Sequence, residues 1–380
     1  MTRTSLYRGV TVASLACLCA RGASAQGASS LQATVDLEAW STDSGSALLA
    51  RNHGRPAGLA RLRLAAATEP WTGLVAYVQA EASGGSATVD GTQFELEQAG
   101  VRYTRARALV FDAGVIPHIV GAFASRRSST RNPLIGEPDG YAVLYPMGAR
   151  ISGKMTYGDY RLGVVSLPIY NDRYMPEPTP AAHLAIGGGI TPVAGVRIGV
   201  SATQGPWLRD DMDAATLRGR RWQSYDQRVV AFDAELSRGY ADFHGELTHG
   251  WHEVPGHSRM LHGAAWYAEL AYALSPRVFA AARAEENDYP YLRPFGTFWG
   301  ANDVRVSNGE VGLGYRVGAD QTLKLTYRRD HWDLAPAAGV LLPDGHSIAM
   351  QLTTAFDVLG ALDRLRSRRA ASVDLPPSSR

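Results

Sequence analysis

Four histidines, His249, His252, His257 and His262, crowd into one short stretch and form the densest titratable cluster of the chain. Imidazoles can hold a zinc ion, and His252-Glu253-Val254-Pro255-Gly256-His257 is close in spelling to a zinc-protease motif. The two histidines are five apart instead of four, however, and Pro255-Gly256 breaks the helix that would bring both rings to one face. An exposed loop is the simpler reading, with a loop metal site as the alternative. Two carboxylate pairs, Asp233/Glu235 and Asp242/Glu246, have the composition that acid–base hydrolysis needs. Their even spacing also puts each pair on one face of a strand, where no chemistry is required of them. Ser125, Ser128 and Ser129 lack a Gly-x-Ser-x-Gly setting, and Gly187-Gly188-Gly189 lies inside a strand instead of opening a helix. Neither a hydrolase elbow nor a phosphate cradle is expected. The residues therefore predict no catalytic centre, no cofactor and no metal.

The charged side chains then need another use, which depends on the elements that carry them. Leu323, Leu325 and Tyr327 fall on one face of a strand, and Lys324, Thr326 and Arg328 fall on the other. The same alternation recurs from Leu31 to Phe356 and predicts sixteen strands: 31–41, 58–67, 72–83, 92–104, 107–117, 147–157, 159–170, 180–190, 195–204, 224–236, 240–250, 261–274, 277–287, 303–317, 321–330 and 345–356. Most run for about ten residues, the length a tilted transmembrane strand needs. Between Phe94 and Tyr103 the apolar phase slips near Glu97-Gln98, which predicts a β-bulge. Connections near 68–70, 105–107, 158, 192–194, 238–239, 275–276 and 318–320 are short, and the intervening ones are longer and polar. In a membrane barrel short turns face the periplasm and long loops face outside, so both termini are expected to be periplasmic. Trp71, Tyr103, Tyr157, Tyr160, Tyr240 and Tyr272 gather near the short turns like an interfacial girdle, although aromatics favour strands in general.

The first residues fix the compartment. Arg3 and Arg8 precede the apolar run from Val10 to Leu18, and Ala23-Ser24-Ala25 supplies a cleavage site, which predicts a signal peptide over 1–25. A lipoprotein leader would need an aliphatic residue three before the modified cysteine, but Ser14 and Ala16 stand there before Cys17 and Cys19. Both cysteines lie in this leader, so the mature chain forms no disulfide. The leader also holds three of the 38 basic residues and none of the 36 acidic ones, leaving 35 against 36 and no reason to expect a nucleic-acid partner. Beyond it no apolar run approaches the ~18 residues of a membrane helix, so only strands could cross a bilayer. Residues 26–356 are expected to form the barrel. Asp357 to Leu365 could make a short helical turn within a flexible periplasmic tail, 357–380.

The predicted fold is thus all-β, a closed antiparallel transmembrane β-barrel of about sixteen strands. Its longest connection, 118–146, contains Arg126, Arg127, Arg131, Glu137 and Asp139. Here the chain resembles the sixteen-stranded outer-membrane porins. The runs Phe111-Asp112-Ala113-Gly114-Val115-Ile116-Pro117 and Asn132-Pro133-Leu134-Ile135-Gly136-Glu137-Pro138 resemble, more narrowly, porin-like proteins related to phosphate-selective porins. The resemblance implies a third extracellular loop folded into the lumen and a water-filled channel for passive diffusion of small hydrophilic solutes, ions or anions. It also implies the outer membrane of a Gram-negative bacterium, with lipid and lipopolysaccharide around the protein, and, as in the general porins, a homotrimer. The chain departs from the pattern in two ways. A tail follows Phe356 where such porins end on an aromatic residue, and the Lys- and Arg-rich ladder of a dedicated phosphate channel is only partly present.

Independently of that resemblance, alternation assigns a lumen face. It carries Arg61, Arg63, Arg150, Lys154, Arg161, Arg197, Arg283, Arg316, Lys324 and Arg328. Against them stand Asp36, Glu38, Glu81, Glu95, Asp112, Asp233, Glu235, Asp242, Glu246, Glu269 and Glu310. A dry sandwich interior could hold so many ions only by pairing each, because desolvation costs several kcal/mol per ion, whereas a wet lumen hydrates them. If Arg126, Arg127 and Arg131 fold inward they are expected to face the acid-rich strands ten to twelve and set up a transverse field that selects ions. The alternative is a surface loop whose arginines are solvated or paired with lipopolysaccharide phosphates. Two other functional classes remain open: an outer-membrane barrel enzyme of the hydrolase kind, and a secreted all-β carbohydrate-binding protein.

Overall fold

The computed structural model describes residues 29–88, 91–140, 144–171, 175, 177–216, 219–295, 298–334 and 342–362, without the side chains of 214–215, 289–303 and 334. The predicted leader, and the predicted tail beyond a first helical turn at 358–362, lie outside these residues. Alternation of small or apolar residues with polar ones gives sixteen strands among them. These are β1 (Ser29–Thr42), β2 (Ala57–Trp71), β3 (Leu74–Gly84), β4 (Gln93–Ala106), β5 (Leu109–Val115), β6 (Met147–Lys154), β7 (Gly158–Val165) and β8 (His183–Val193). The second half comprises β9 (Val196–Pro206), β10 (Asp226–Arg238), β11 (Ala241–His252), β12 (Leu261–Ala273), β13 (Val278–Phe295), β14 (Phe298–Arg316), β15 (Gln321–Leu334) and β16 (Gly345–Asp357). Each strand pairs antiparallel with its sequence neighbours, and β1 pairs with β16 from Gln32↔Asp357 to Thr42↔Ser347 to close the barrel. A closed sheet has no edge, so its ladder groups need no water.

The expected fold is the observed one, and its departures are local. β13 and β14 run past the predicted 277–287 and 303–317, because residues such as Glu286-Asn287-Asp288 are polar on both faces and show no alternation. β7 stops at Val165, short of the predicted 170, before Pro168, which has no N–H to give a ladder. The expected bulge is present: Gln79 pairs with Gln98 and Ala80 with Leu96, leaving Glu97 as the extra residue.

Alternation puts the apolar face outside. Leu37, Leu62, Ile186, Ile198, Phe232, Leu270, Val311, Leu325 and Ile348 are all exposed, and they belong to nine different strands. An apolar belt around a whole molecule would aggregate in water, but against lipid it is the stable arrangement. At the short-turn end Trp71, Tyr157 and Tyr240 are 71%, 72% and 72% exposed, and Tyr240 meets Tyr272 edge-on at 6.4 Å. Tyr160 is half-buried, its hydroxyl donating to the Ala108 carbonyl at 2.9 Å. At the opposite end three long loops build a hydrophobic cap, in which Met175, Trp207, Leu208, Trp222, Tyr225 and Val254 pack on Val304 and Val306 of β14.

Candidate functional site

Strand register decides which inward charges meet. Glu269, Arg283, Glu310 and Arg328 lie opposite one another in turn across β12, β13, β14 and β15, so one row alternates in sign. Arg283 donates to Glu269 at 3.1 Å and to Glu310 at 2.6 Å, while Arg328 donates to Glu285 at 2.7 Å. A second row, Arg102, Asp112 and Arg150, crosses β4 to β6, with Asp112 bridging the two guanidinium groups at 2.6 and 3.0 Å. On β7 to β10, Arg197 donates to Asp159 at 2.8 Å and to Asp233, with Glu235 at 3.9 Å and Arg161 4.0 Å from Asp233. The Gly187–Gly189 run makes room for these arginines, since a Cβ at Gly187 would meet Arg161 Nε and one at Gly189 would meet Arg197 Nη2, each at 2.7 Å. Near β1, Arg61 pairs with Glu38 at 3.0 Å, and Arg63 pairs with Glu81 at 2.5 Å and Glu97 at 3.0 Å.

The described residues of the connection between β5 and β6, 116–140 and 144–146, run inside the barrel. Its base is zipped by Ile116 N donating to Pro146 O and His118 N donating to Leu144 O, both at 3.0 Å. From there Gly121 N donates to Ser201 Oγ on β9 at 3.0 Å, and the N–H groups of Ala122 and Phe123 donate to Glu246 on β11 at 3.0 and 3.3 Å. Arg126 donates to Glu269. Farther on, Gly136 N donates to Glu310 at 3.0 Å and Asp139 N to Glu285 at 2.8 Å. Lys324 Nζ, 2% exposed on β15, donates to the carbonyls of Ser129, Asn132 and Leu134 at 2.6, 2.7 and 3.4 Å. Arg328 Nη1 donates to Glu137 O at 2.9 Å. Close approach needs glycine: Gly121 has φ +81°, and a Cβ there would lie 2.3 Å from Glu246 Oε1.

The three loop arginines part company, which corrects the expectation that all of them face strands ten to twelve. Arg126 meets that acidic wall. Arg127 crosses to β4, reaching Glu97 at 3.3 Å and Glu95 at 3.4 Å, and also pairs with Glu137 of its own loop at 3.1 Å. Burial opposes its charge, but Glu137 and Glu95 hold the guanidinium charged, above its ordinary range. Tyr145 lies beside it, and burial pushes the phenol up to about 12. Arg131 folds back to Ser125 O at 2.9 Å and is exposed. The reason is that the acidic wall is already engaged: Glu246 accepts the N–H groups of Ala122 and Phe123, and Glu269 is shared between Arg126 and Arg283.

The other predicted site residues are placed as follows. Lys324, Arg328 and Glu246 are buried beneath the loop, not bare to the lumen. Arg61, Arg63, Arg150 and Arg197 stand partly exposed on the inner wall, each paired as described, and Asp233 is buried against Arg197. Glu235 is half-buried toward the short-turn end. Asp242 sits there too, accepting from Ser237 Oγ at 2.5 Å and pairing with His244 at 2.9 Å. Lys154 lies exposed at the end of β6. The histidines diverge: His252 points inward to Gln227 at 3.0 Å, His249 and His262 stack at 6.2 Å on the outer face, and His257 is exposed in a loop. Among the described residues no three metal-ligating side chains converge. Sequence reasoning passed over Glu97 and Glu285, both buried anchors. The bulge was the available signal for Glu97, because the extra residue turns its carboxylate to the arginines of β2 and the loop.

Two cavities flank the loop. One of about 730 Å³ lies against β2 to β4 toward the long-loop end, lined by Arg51, Arg61, Glu81, Glu95, Arg127 and Glu137 among others. The other, about 230 Å³, lies at the short-turn end between loop residues 129–133 and the wall from β11 to β15.

No family model matches the chain, and no curated protein matches it. Solved structures do. An anion-selective porin from Comamonas acidovorans superposes with a TM-score of 0.60 at 11% identity, covering 87% of this chain and 100% of that one. OmpT, an outer membrane protein of Vibrio cholerae, superposes in its in-vitro folded trimer form with a TM-score of 0.56 at 10% identity, covering 87% of this chain and 99% of that one. Its loop L8 deletion mutant gives 0.57 at 9% identity, again over 87% and 99%. At such identities the likeness is one of fold: this chain is similar to these proteins in being a closed barrel of the outer-membrane kind.

Proposed function

We propose that this chain is an outer-membrane porin, a water-filled channel through which small hydrophilic solutes and ions diffuse passively. The observation that carries the reading is the longest loop lying inside a closed barrel whose outside is apolar and whose inside is charged, with a cavity of about 730 Å³ left beside it. A barrel serving as a mere anchor has no use for a hydrated, charged interior. On this reading residues 1–25 are the export signal, both chain ends are periplasmic, the long loops face outside toward lipopolysaccharide, and three copies assemble. The resemblance of the 111–117 and 132–138 runs to porins related to phosphate-selective ones adds an anion bias. Arg131 and Arg316, which have no carboxylate partner among the described residues, support that bias. An enzymatic barrel would need its acid, base or nucleophile gathered at one rim, and the four clustered histidines of the sequence, His249, His252, His257 and His262, face different ways.

The test is planar-bilayer recording of the refolded mature chain. Stable unitary conductance, with a reversal potential that shifts in a salt gradient, is expected. A protein that refolds to a heat-resistant barrel in detergent yet never conducts overturns the reading.

A further inference from the structure

The smaller cavity is built unlike the larger one. In the 730 Å³ cavity the signs balance and most charges are paired, with Arg61 on Glu38 and Arg127 on Glu95 and Glu137. The 230 Å³ cavity has Arg131, Arg316 and Lys324 on its lining against the single carboxylate of Asp242. Asp242 is itself occupied by Ser237 and His244. A guanidinium has five N–H donors. Arg131 spends one on Ser125 O, and Arg316 spends one on Pro276 O at 3.1 Å while stacking over the Phe279 ring at 5.0 Å. Neither has a carboxylate within salt-bridge distance among the described residues, so most of their donors are free. A further polar group on the lining, the hydroxyl of Ser129, is buried with no hydrogen-bond partner. The rest of the lining includes Pro133, Ala271, Ala273 and Phe279, so one side is apolar.

Free guanidinium donors beside an apolar wall select for an anion with a hydrophobic body. A bare oxyanion would satisfy the arginines and leave the Phe279 side wet; a neutral aromatic would do the reverse. We propose that this cavity is a binding site for small aromatic or alkyl monocarboxylates of the benzoate class, held by Arg131 and Arg316 at the carboxylate and by Phe279, Pro133 and Ala271 at the body. Its role in transport rests on the channel reading above, whereas occupancy of the site does not.

Both properties are measured on one preparation, the refolded full mature chain: benzoate binding in detergent by calorimetry, and potassium chloride conductance in bilayers. Benzoate is expected to bind at least about tenfold more tightly than either phosphate or benzyl alcohol, since each of those forfeits one half of the contacts. Arg131→Ser together with Arg316→Ser should weaken benzoate about tenfold or more, because charge-assisted hydrogen bonds are the strong ones, while the heat-resistant barrel in detergent persists. Phe279→Leu should weaken benzoate and leave phosphate unchanged. If benzoate and phosphate bind alike, the site is a plain anion site and the proposal is wrong. If benzoate does not bind the wild type, or binds the double variant as tightly, it is equally overturned. Benzoate binding to a protein that never conducts would sink the channel and leave the site standing.

Discussion

Apart from the smaller cavity at the short-turn end, the inner wall from β9 to β15 is mostly covered. The loop lies on it, fixed by backbone N–H groups to Ser201, Glu246, Glu285 and Glu310 and by the Lys324 ammonium to three carbonyls, and the cap of Trp207, Trp222 and Tyr225 lies toward the long-loop end. From β2 to β4 the wall is bare to the larger cavity, and the Glu95 side chain is 45% exposed. The two arcs carry similar residues, yet in one the charges hold the loop's backbone and in the other they pair side chain to side chain along the border of the larger cavity. Desolvation explains the division of labour: a buried charge must be paired or hydrogen-bonded several times, so the charges of the filled arc hold the loop, while on the open arc Arg61 and Glu95, although paired, stay within reach of water and of passing ions.

The most damaging way to break this contrast is to release the loop. Lys324→Met fills similar space but leaves the carbonyls of Ser129 and Asn132 without their donor, and each unpaired buried acceptor costs about 1–3 kcal/mol. The loop should leave the β15 wall, so that trypsin cuts after Arg126, Arg127 or Arg131 in the variant and not in the wild type, and unitary conductance rises. Full protease resistance at unchanged conductance would mean that the filled arc does not depend on the loop's anchors.

A smaller effect separates the arcs directly. Arg127→Ser removes the cation that faces Glu95, Glu97 and Glu137, so the cation/anion permeability ratio from reversal potentials should rise severalfold. Arg126→Ser should change the ratio little, because its partner Glu269 keeps Arg283 at 3.1 Å and sits behind the loop. Equal shifts in the two variants would erase the distinction.

How much of this was legible in the sequence follows from what alternation can and cannot encode. A period of two fixes which face each residue occupies, and so the barrel, the apolar exterior and the inward placement of Arg283 or Glu310 could be read from spacing. Register between strands was not readable, so the row from Glu269 to Arg328 could not be foreseen as contacts. The long loop was recognisable by length and by its arginines, but their directions depend on where the loop's glycines let its backbone touch carboxylates. Gly121 against Glu246 and Gly136 against Glu310 are such points, and neither looks special in a chain with 40 glycines. Glu97 was half visible: the slip in phase showed the bulge and not the partners it serves.

The subtlest test concerns the loop's base, where the two arcs meet. His118 is buried; its Nδ1 accepts from Val120 N and its Nε2–H donates to Leu167 O, both at 3.2 Å, so the ring is held as one neutral tautomer. Burial, with His183 and Arg161 nearby, lowers its pKa from 6.5 to about 3, while the bond to Leu167 pulls the other way. The undocked or unfolded chain therefore takes up a proton at a higher pH than the folded one. The stabilisation from the neutral ring is complete above pH 6.5 and is lost steadily as pH falls from there toward 3. His118→Asn keeps an acceptor for Val120 N, forfeits the Leu167 bond at a cost of about 1 kcal/mol, and removes the titration. Denaturant midpoints measured from pH 7 to pH 4 should fall less steeply in the variant than in the wild type, so that the two curves converge on acidification. Parallel curves would show that the acid sensitivity of the loop's base lies in another group.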